Sequence, residues 1–183
     1  MRLRNASDSY GAVAQTLHWT VMALVLVAWL AGQFGDDLPR SARAAVLSIH
    51  ISAGLAVIAF VIIRLAWRLI DAPPPPEVTV LGRWAEQFGQ WMHYALYVLL
   101  LAAPAVGIVV QFARGNALPV FGLIEIASPW SADRAFAHNV KEVHEALSNA
   151  LVILAALHVA AALAHHWVLR DRTLVRMLPG PRR

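Results

Sequence analysis

Four stretches of the chain are predominantly apolar, over residues 12–34, 42–70, 84–112 and 136–169, and clusters of charged and helix-breaking residues fall between them. Each exceeds the ~20 apolar residues that a helix needs to cross a bilayer. The pattern therefore predicts an all-α integral membrane protein, a four-helix bundle forming one domain over residues 1–183. The breaks agree with that division. Gly35-Asp36-Asp37-Leu38-Pro39 ends the first stretch, and Ala72 leads into four consecutive prolines, Pro73 to Pro76, through which no helix continues. The third connection, residues 114–134, is the longest and carries Gly115-Asn116, Pro119, Gly122 and Pro129-Trp130, which predicts an ordered loop capping one end of the bundle. The first stretch follows Arg2 and Arg4 as a signal peptide would. It carries Gln15 and His18 near its start and no evident small-x-small cleavage site, so it reads as an uncleaved first span.

Arginine and lysine beside the spans set the expected orientation. Arg2, Arg4, Arg64, Arg68, Arg83, Arg170, Arg172, Arg176, Arg182 and Arg183 fall on one side, against Arg40, Arg43, Arg114, Arg134 and Lys141 on the other. The positive-inside rule then puts both termini in the cytoplasm. That orientation gives every histidine a depth: His18 and His158 lie in the inner half, His50 and His144 in the outer half.

Imidazoles at membrane depth are costly and mark a cofactor, an ion path or a proton path. His144 and His158 are 14 residues apart; at about 100° per residue they return to nearly one helix face, roughly 21 Å apart along the axis. With His18 and His50 on other helices, the depths pair His18 with His158 and His50 with His144. A low-spin b-type haem takes one neutral imidazole on each side, and opposing helices of a bundle can supply one each. Two stacked haems with every axial position filled by protein imply electron transfer rather than oxygen chemistry at iron. His93 lies in the inner half of the third span and competes with His18 for the inner iron. His165, seven residues past His158, shares its face nearer the cytoplasm and suits a quinone head group or a haem propionate. His166 is turned away from that face, and His138 reads as a surface histidine. Small residues beside the ligands, Ser52-Ala53-Gly54, Ser148-Asn149-Ala150 and Ala160 to Ala162, leave room for flat macrocycles, although they also serve close helix packing in lipid.

Composition narrows the cofactor. The chain is 59% hydrophobic and 14% charged, far from the roughly one-quarter charged balance of soluble domains. With no cysteine it holds no disulfide, no thiolate-ligated cluster and no covalently attached haem, so its haem must be bound non-covalently. The formal charge of +4 does not point to nucleic acid, because the basic residues gather at span ends, where topology and lipid headgroups account for them.

Leu17-His18-Trp19, Ile49-His50-Ile51-Ser52-Ala53-Gly54, Val143-His144-Glu145-Ala146-Leu147-Ser148-Asn149, the run from Leu157-His158 to His165-His166, and Arg114-Gly115-Asn116 together resemble the bacterial cytochrome b561 family over nearly the whole chain. The resemblance implies two haem b groups ligated by His18, His50, His144 and His158, leaving His93 unligated, in a multi-pass protein of the bacterial inner membrane. It also implies electron transfer linked to ubiquinone, as in superoxide oxidases that pass electrons from superoxide outside to quinone inside.

On that reading Arg40, Arg43, Arg114 and Lys141 are candidates for an outer basic funnel that draws in a small anion. The alternative is that they pair with Asp36, Asp37, Glu142 and Glu145 or anchor helix ends. Trp19, Arg83, His93 and His165 are candidates for an inner quinone pocket, with an aromatic wall, hydrogen-bond donors and a proton source. Trp19 equally fits an interfacial aromatic belt, and Arg64 and Arg68 fit either propionate partners or inside-facing anchors. A second functional class is a haem-b anchor subunit relaying electrons between quinone and a respiratory hydrogenase or dehydrogenase. A six-helix transmembrane reductase is a poorer match to four spans.

Overall fold

The computed structural model describes residues 2–77, 79 and 81–179. The side chain of Asp36 and the terminal Arg182 and Arg183 lie outside the described residues. Four helices form the body of the molecule: α1 Ala12–Phe34, α2 Arg40–Ile70, α3 Arg83–Ala113 and α4 Arg134–Trp167. All four are long and apolar enough to cross a membrane. Their surfaces are inverted relative to a soluble bundle, because Leu30, Ile62, Val98, Ile153 and Leu157 face outward, where lipid tails replace water and only helices satisfy their own backbone.

α1 packs on α2, α2 on α3 and α3 on α4, whereas α4 approaches α1 and α2 only sparsely. The bundle is thus open along one side of α4. Its closed centre is a cluster of Val21, Val57, Val61, Leu100 and Leu151, with Phe60, Leu96 and Tyr97 packed against it. Leu151 is midway between His144 and His158, so this cluster separates the two histidine levels. Pro104 interrupts the hydrogen-bond ladder inside α3, and Gly54 of α2 lies opposite it, where an added Cβ would meet Pro104 Cβ at 3.6 Å.

The loop between α3 and α4 contains a small antiparallel hairpin, β1 Leu118–Val120 with β2 Ile124–Ile126. Its turn is closed by Leu123 N–H donating to Val120 O at 3.0 Å, and Phe121 and Gly122 both have positive φ, 54° and 69°. Val120 pairs with Ile124, so the loop is three residues long, and Gly122 takes its positive φ without steric cost. Asp133 caps α4, its Oδ1 accepting from Phe136 N–H at 3.0 Å. Asp133 N–H donates to Ala113 O at 2.9 Å and clamps the start of α4 to the end of α3.

At the other end the amino-terminal segment, the α2–α3 connection and the carboxyl-terminal segment tie together. Buried Arg176 donates to Asp8 O, Pro75 O and Glu77 Oε2, at 3.1, 2.9 and 3.1 Å. Gln15 reaches the carbonyls of Tyr10 and Leu178, and Asn5 holds Asp71 and Ala72. This explains a buried arginine and glutamine in an otherwise apolar chain: each satisfies backbone carbonyls that the connecting segments leave open. α4 stops at Trp167, two residues short of the apolar stretch, because Val168 and Leu169 both donate to Ala164 O and Arg170 turns the chain back at φ 55°.

Candidate functional site

α4 carries one member of each histidine pair, and the partner comes from a helix that α4 does not closely touch. His50 of α2 and His144 of α4 have ring centres 6.0 Å apart, and His18 of α1 and His158 of α4 are 6.4 Å apart. Two imidazoles bound through one nitrogen on either side of a metal, at metal–nitrogen distances near 2 Å, have centres about 6 Å apart. His93 of α3 lies nearer, its ring 5.2 Å from His158. Among the described residues no group of three or more His, Cys, Asp or Glu converges as a protein-only metal cage would. Pairs of neutral imidazoles suit a metal whose other positions a macrocycle fills.

The surroundings of the outer pair fix which nitrogen is free. His50 Nδ1–H donates to Ala28 O at 2.7 Å, and His144 Nδ1–H to Ala103 O at 2.8 Å; a carbonyl only accepts, so Nδ1 carries the hydrogen in both rings. Each Nε2 keeps its lone pair for a metal, the usual second-shell arrangement of a ligating histidine. The sequence reading missed the elements that make this possible. A Cβ on Gly32 would stand 2.9 Å from the His50 ring, and one on Gly107 would stand 3.0 Å from His144 Cε1. Both glycines lie one turn past the accepting carbonyl, so α1 and α3 repeat one device.

The inner level differs. His18 Nδ1, Trp67 Nε1 and Tyr97 OH are buried without a hydrogen-bond partner among the described residues. Arg64 lies over the Tyr97 ring at 5.5 Å, 14 residues past His50 on α2 and so at the inner level. Trp67 lies one helical turn past Arg64 on α2 and Tyr97 of α3 lies beneath the Arg64 guanidinium; all three are hydrogen-bond donors, which suits the carboxylates of a haem. Residues and group therefore fit in ring spacing, in the nitrogen left free with the glycine clearance that allows it, and in unpartnered donors.

Other predicted positions are sorted by the same structure. Trp19 packs edge-on against His18 at 5.3 Å, but its indole N–H donates to Met177 O at 2.9 Å, so the donor expected for a quinone is engaged by the carboxyl-terminal segment. Arg83 is exposed at the first position of α3, about 15 Å along the axis from His93. His165 has a partner that hydropathy did not reveal: its Nδ1–H donates to Asp171 Oδ2 at 2.5 Å. Burial raises the Asp171 carboxyl, but the bond from His165 and those from Thr173 outweigh it and hold the group below its ordinary pKa. Asp171 therefore stays ionised, and His165 keeps Nε2 free of that bond.

At the end of the bundle where α3 meets α4, Arg114 and Lys141 join Arg134 and His138 around an open concavity of about 460 Å³, lined also by Ala113, Ala132 and Ala137. The clamp from Asp133 to Ala113 brings these residues together. Arg40 and Arg43 are not among its lining residues; Arg43 Nε–H instead donates to Leu38 O at 3.0 Å at the start of α2. Lys141 pairs with Glu145 at 2.6 Å and His138 with Glu142 at 3.3 Å. Both pairs are solvent-exposed, and such pairs neutralise one another only weakly.

Membrane-buried imidazoles facing each other in pairs at two depths are the ligand arrangement of a b-type membrane cytochrome, an electron-carrying haem protein. The comparisons make that class specific. The model of the prokaryotic cytochrome b561 family matches residues 9–180. The chain is 33% identical over 173 residues to the probable superoxide oxidase CybB of Yersinia pestis, covering 94% of this chain and 97% of that protein. It is 30% identical over 186 residues to cytochrome b561 homolog 2 of Escherichia coli (strain K12), covering 97% and 95%. Cytochrome b562 of Cereibacter sphaeroides is 26% identical over 178 residues, covering 92% and 94%. The chain belongs to the prokaryotic cytochrome b561 family, a multi-pass redox protein of the bacterial inner membrane.

Proposed function

We propose that this protein is a superoxide:ubiquinone oxidoreductase that carries single electrons across the inner membrane through two haem b groups. His50 and His144 hold the outer group, and His18 and His158 the inner one. The observation that carries the reading is the stacking of two imidazole pairs along α4, 14 residues apart, each completed by a helix that leaves a gap beside α4. The ring spacing supports His18 over His93 as the inner ligand, since 6.4 Å admits a metal between the rings and 5.2 Å is short for it.

When bound, the haems supply reversible one-electron oxidation and reduction. The protein's residues supply everything around that chemistry. Arg64, Trp67 and Tyr97 bind the carboxylates of the inner group. Arg114, Arg134 and Lys141 concentrate a small anion at the outer mouth, three residues from His144 in the case of Lys141. Two superoxide anions leave there as two molecules of dioxygen, and the two electrons with two protons convert one quinone to quinol at the inner end. Both termini lie in the cytoplasm, so those protons come from inside. His165 delivers them from Nε2, while ionised Asp171 holds Nδ1–H and stabilises the imidazolium between transfers. His93 lines the quinone side of the inner pair as a second donor, and Arg83 marks the mouth.

Purified holoprotein with ubiquinone should form quinol when superoxide is generated in the same solution, faster than spontaneous dismutation consumes it. Asp171→Asn should lower the maximal rate, by less than the roughly 100-fold or more that a general acid itself supplies because His165 remains, with little change in half-saturating quinone. A reduced spectrum without b-type bands would remove the whole reading. Haem bands without superoxide-driven quinol would leave an electron relay to a protein partner, as in the anchor subunit of a respiratory hydrogenase or dehydrogenase.

A further inference from the structure

The two histidine pairs are held by unlike surroundings, and the difference has a sign. At the outer level both rings donate Nδ1–H to a helical carbonyl, Ala28 O and Ala103 O, at 2.7 and 2.8 Å. Such a bond pushes electron density toward Nε2 and makes the imidazole a stronger ligand. A stronger donor favours the more positively charged ferric iron and lowers the reduction potential. Gly32 and Gly107 are what permit both bonds, because a Cβ at either would press on the ring that donates.

At the inner level His18 Nδ1 is buried without such a partner among the described residues. Arg64 lies 14 residues past His50 on α2, the interval that separates His144 from His158 on α4, and so stands at the inner level, held there over the Tyr97 ring. A fixed positive charge in a low-dielectric site favours the reduced iron. The sign is the same whether the guanidinium acts directly or by neutralising a carboxylate of the bound group. Ligand strength pulls the outer potential down, and Arg64 pushes the inner potential up.

We infer that these second-shell residues build a downhill step into the protein: the group at His50 and His144 has the lower potential, and the group at His18 and His158 the higher. Gly32 and Gly107 with the carbonyls of Ala28 and Ala103 tune one end, and Arg64 tunes the other. Electrons are thereby directed inward irrespective of which donor meets the outer end. The inference rests on the ligand assignment of the proposed function.

The test is an optical redox titration of the holoprotein, preceded by electron paramagnetic resonance of the oxidised form. Two low-spin bis-imidazole signals support the ligand assignment; a single signal removes that assignment and leaves the tuning question moot for a different reason. The titration should resolve two waves. Arg64→Gln should lower the upper wave alone and Arg64→Lys should restore it. Gly107→Ala, the milder of the two clashes, should raise the lower wave alone, and Gly32→Ala should do the same where the haem is retained. Each change should move the equilibrium between the two groups roughly tenfold, about 59 mV for a one-electron couple. Movement of the lower wave by Arg64→Gln, movement of the upper wave by Gly107→Ala, or no movement in either variant would overturn the inference.

Discussion

His144→Ala should yield a protein that binds one haem instead of two and no longer transfers electrons from its outer face. On the proposed ligation His144 joins α4 to the outer iron, and its Nδ1 bond to Ala103 O ties the same position to α3. On that ligation its removal would leave His50 without a counterpart across the space between α2 and α4, which make few other contacts. Loss of a second-shell partner typically costs 10–100-fold, so loss of the ligand itself should exceed about 100-fold in the superoxide-driven rate. Pyridine haemochrome analysis gives the stoichiometry directly. The inner level provides the contrast: His158→Ala and His18→Ala should each remove the other haem, whereas His93→Ala should retain both and slow quinone reduction. Two haems retained in His18→Ala with one lost in His93→Ala would reverse the inner assignment.

Reversing the outer charges should produce the second large effect. In a variant carrying Arg114→Glu, Arg134→Glu and Lys141→Glu, the second-order rate with superoxide should fall between ~10- and ~1000-fold, the range over which electrostatic focusing raises encounter rates. All three residues line an open concavity at the surface, so their replacement should cost little stability. The salt response separates steering from damage. The parent rate should drop as ionic strength rises and the screening length shrinks toward ~8 Å, while the variant rate should rise or stay level. An uncharged reductant should reduce parent and variant equally. If it too is slowed in the variant, the three residues support the outer fold and do not steer an anion. Because the exposed pairing with Glu145 neutralises Lys141 only weakly, each of the three single reversals should contribute to the effect.

The spans and the convergence of histidines were legible because both depend on one-dimensional rules. Apolar length marks a span, and a 14-residue interval returns two side chains to one helix face at two depths. What surrounds those histidines obeys no such rule. Gly32 and Gly107 look like any glycine in a membrane helix until the opposing ring is in view, and the carbonyls of Ala28 and Ala103 carry no side-chain signature at all. The basin required knowing that Asp133 clamps onto Ala113, which brings Arg134 and His138 beside Arg114; Arg40 and Arg43 share the same side of the membrane but open a different helix. Asp171 was hidden for a conformational reason. Its approach to His165 depends on Arg170 adopting φ 55°, a left-handed turn that glycine would have advertised and arginine does not. The hairpin at 118–126 was missed because its strands are three residues long and its turn places Phe121, not asparagine, at positive φ.

The apolar cluster between the two histidine levels has a consequence for energy conservation. Val21, Val57, Val61, Leu100 and Leu151 carry no group that can pass on a proton, so along this path electrons move without compensating positive charge. On the proposed direction each electron travelling inward adds negative charge to the side that is already negative, and a full crossing works against roughly 2.3 kcal/mol per 100 mV of membrane voltage. Proteoliposomes should therefore turn over more slowly when a potassium diffusion potential makes the cytoplasmic side negative, and recover when an ionophore collapses it. Removing a toxic radical would in this way charge the membrane, and the charge on the membrane would throttle the removal.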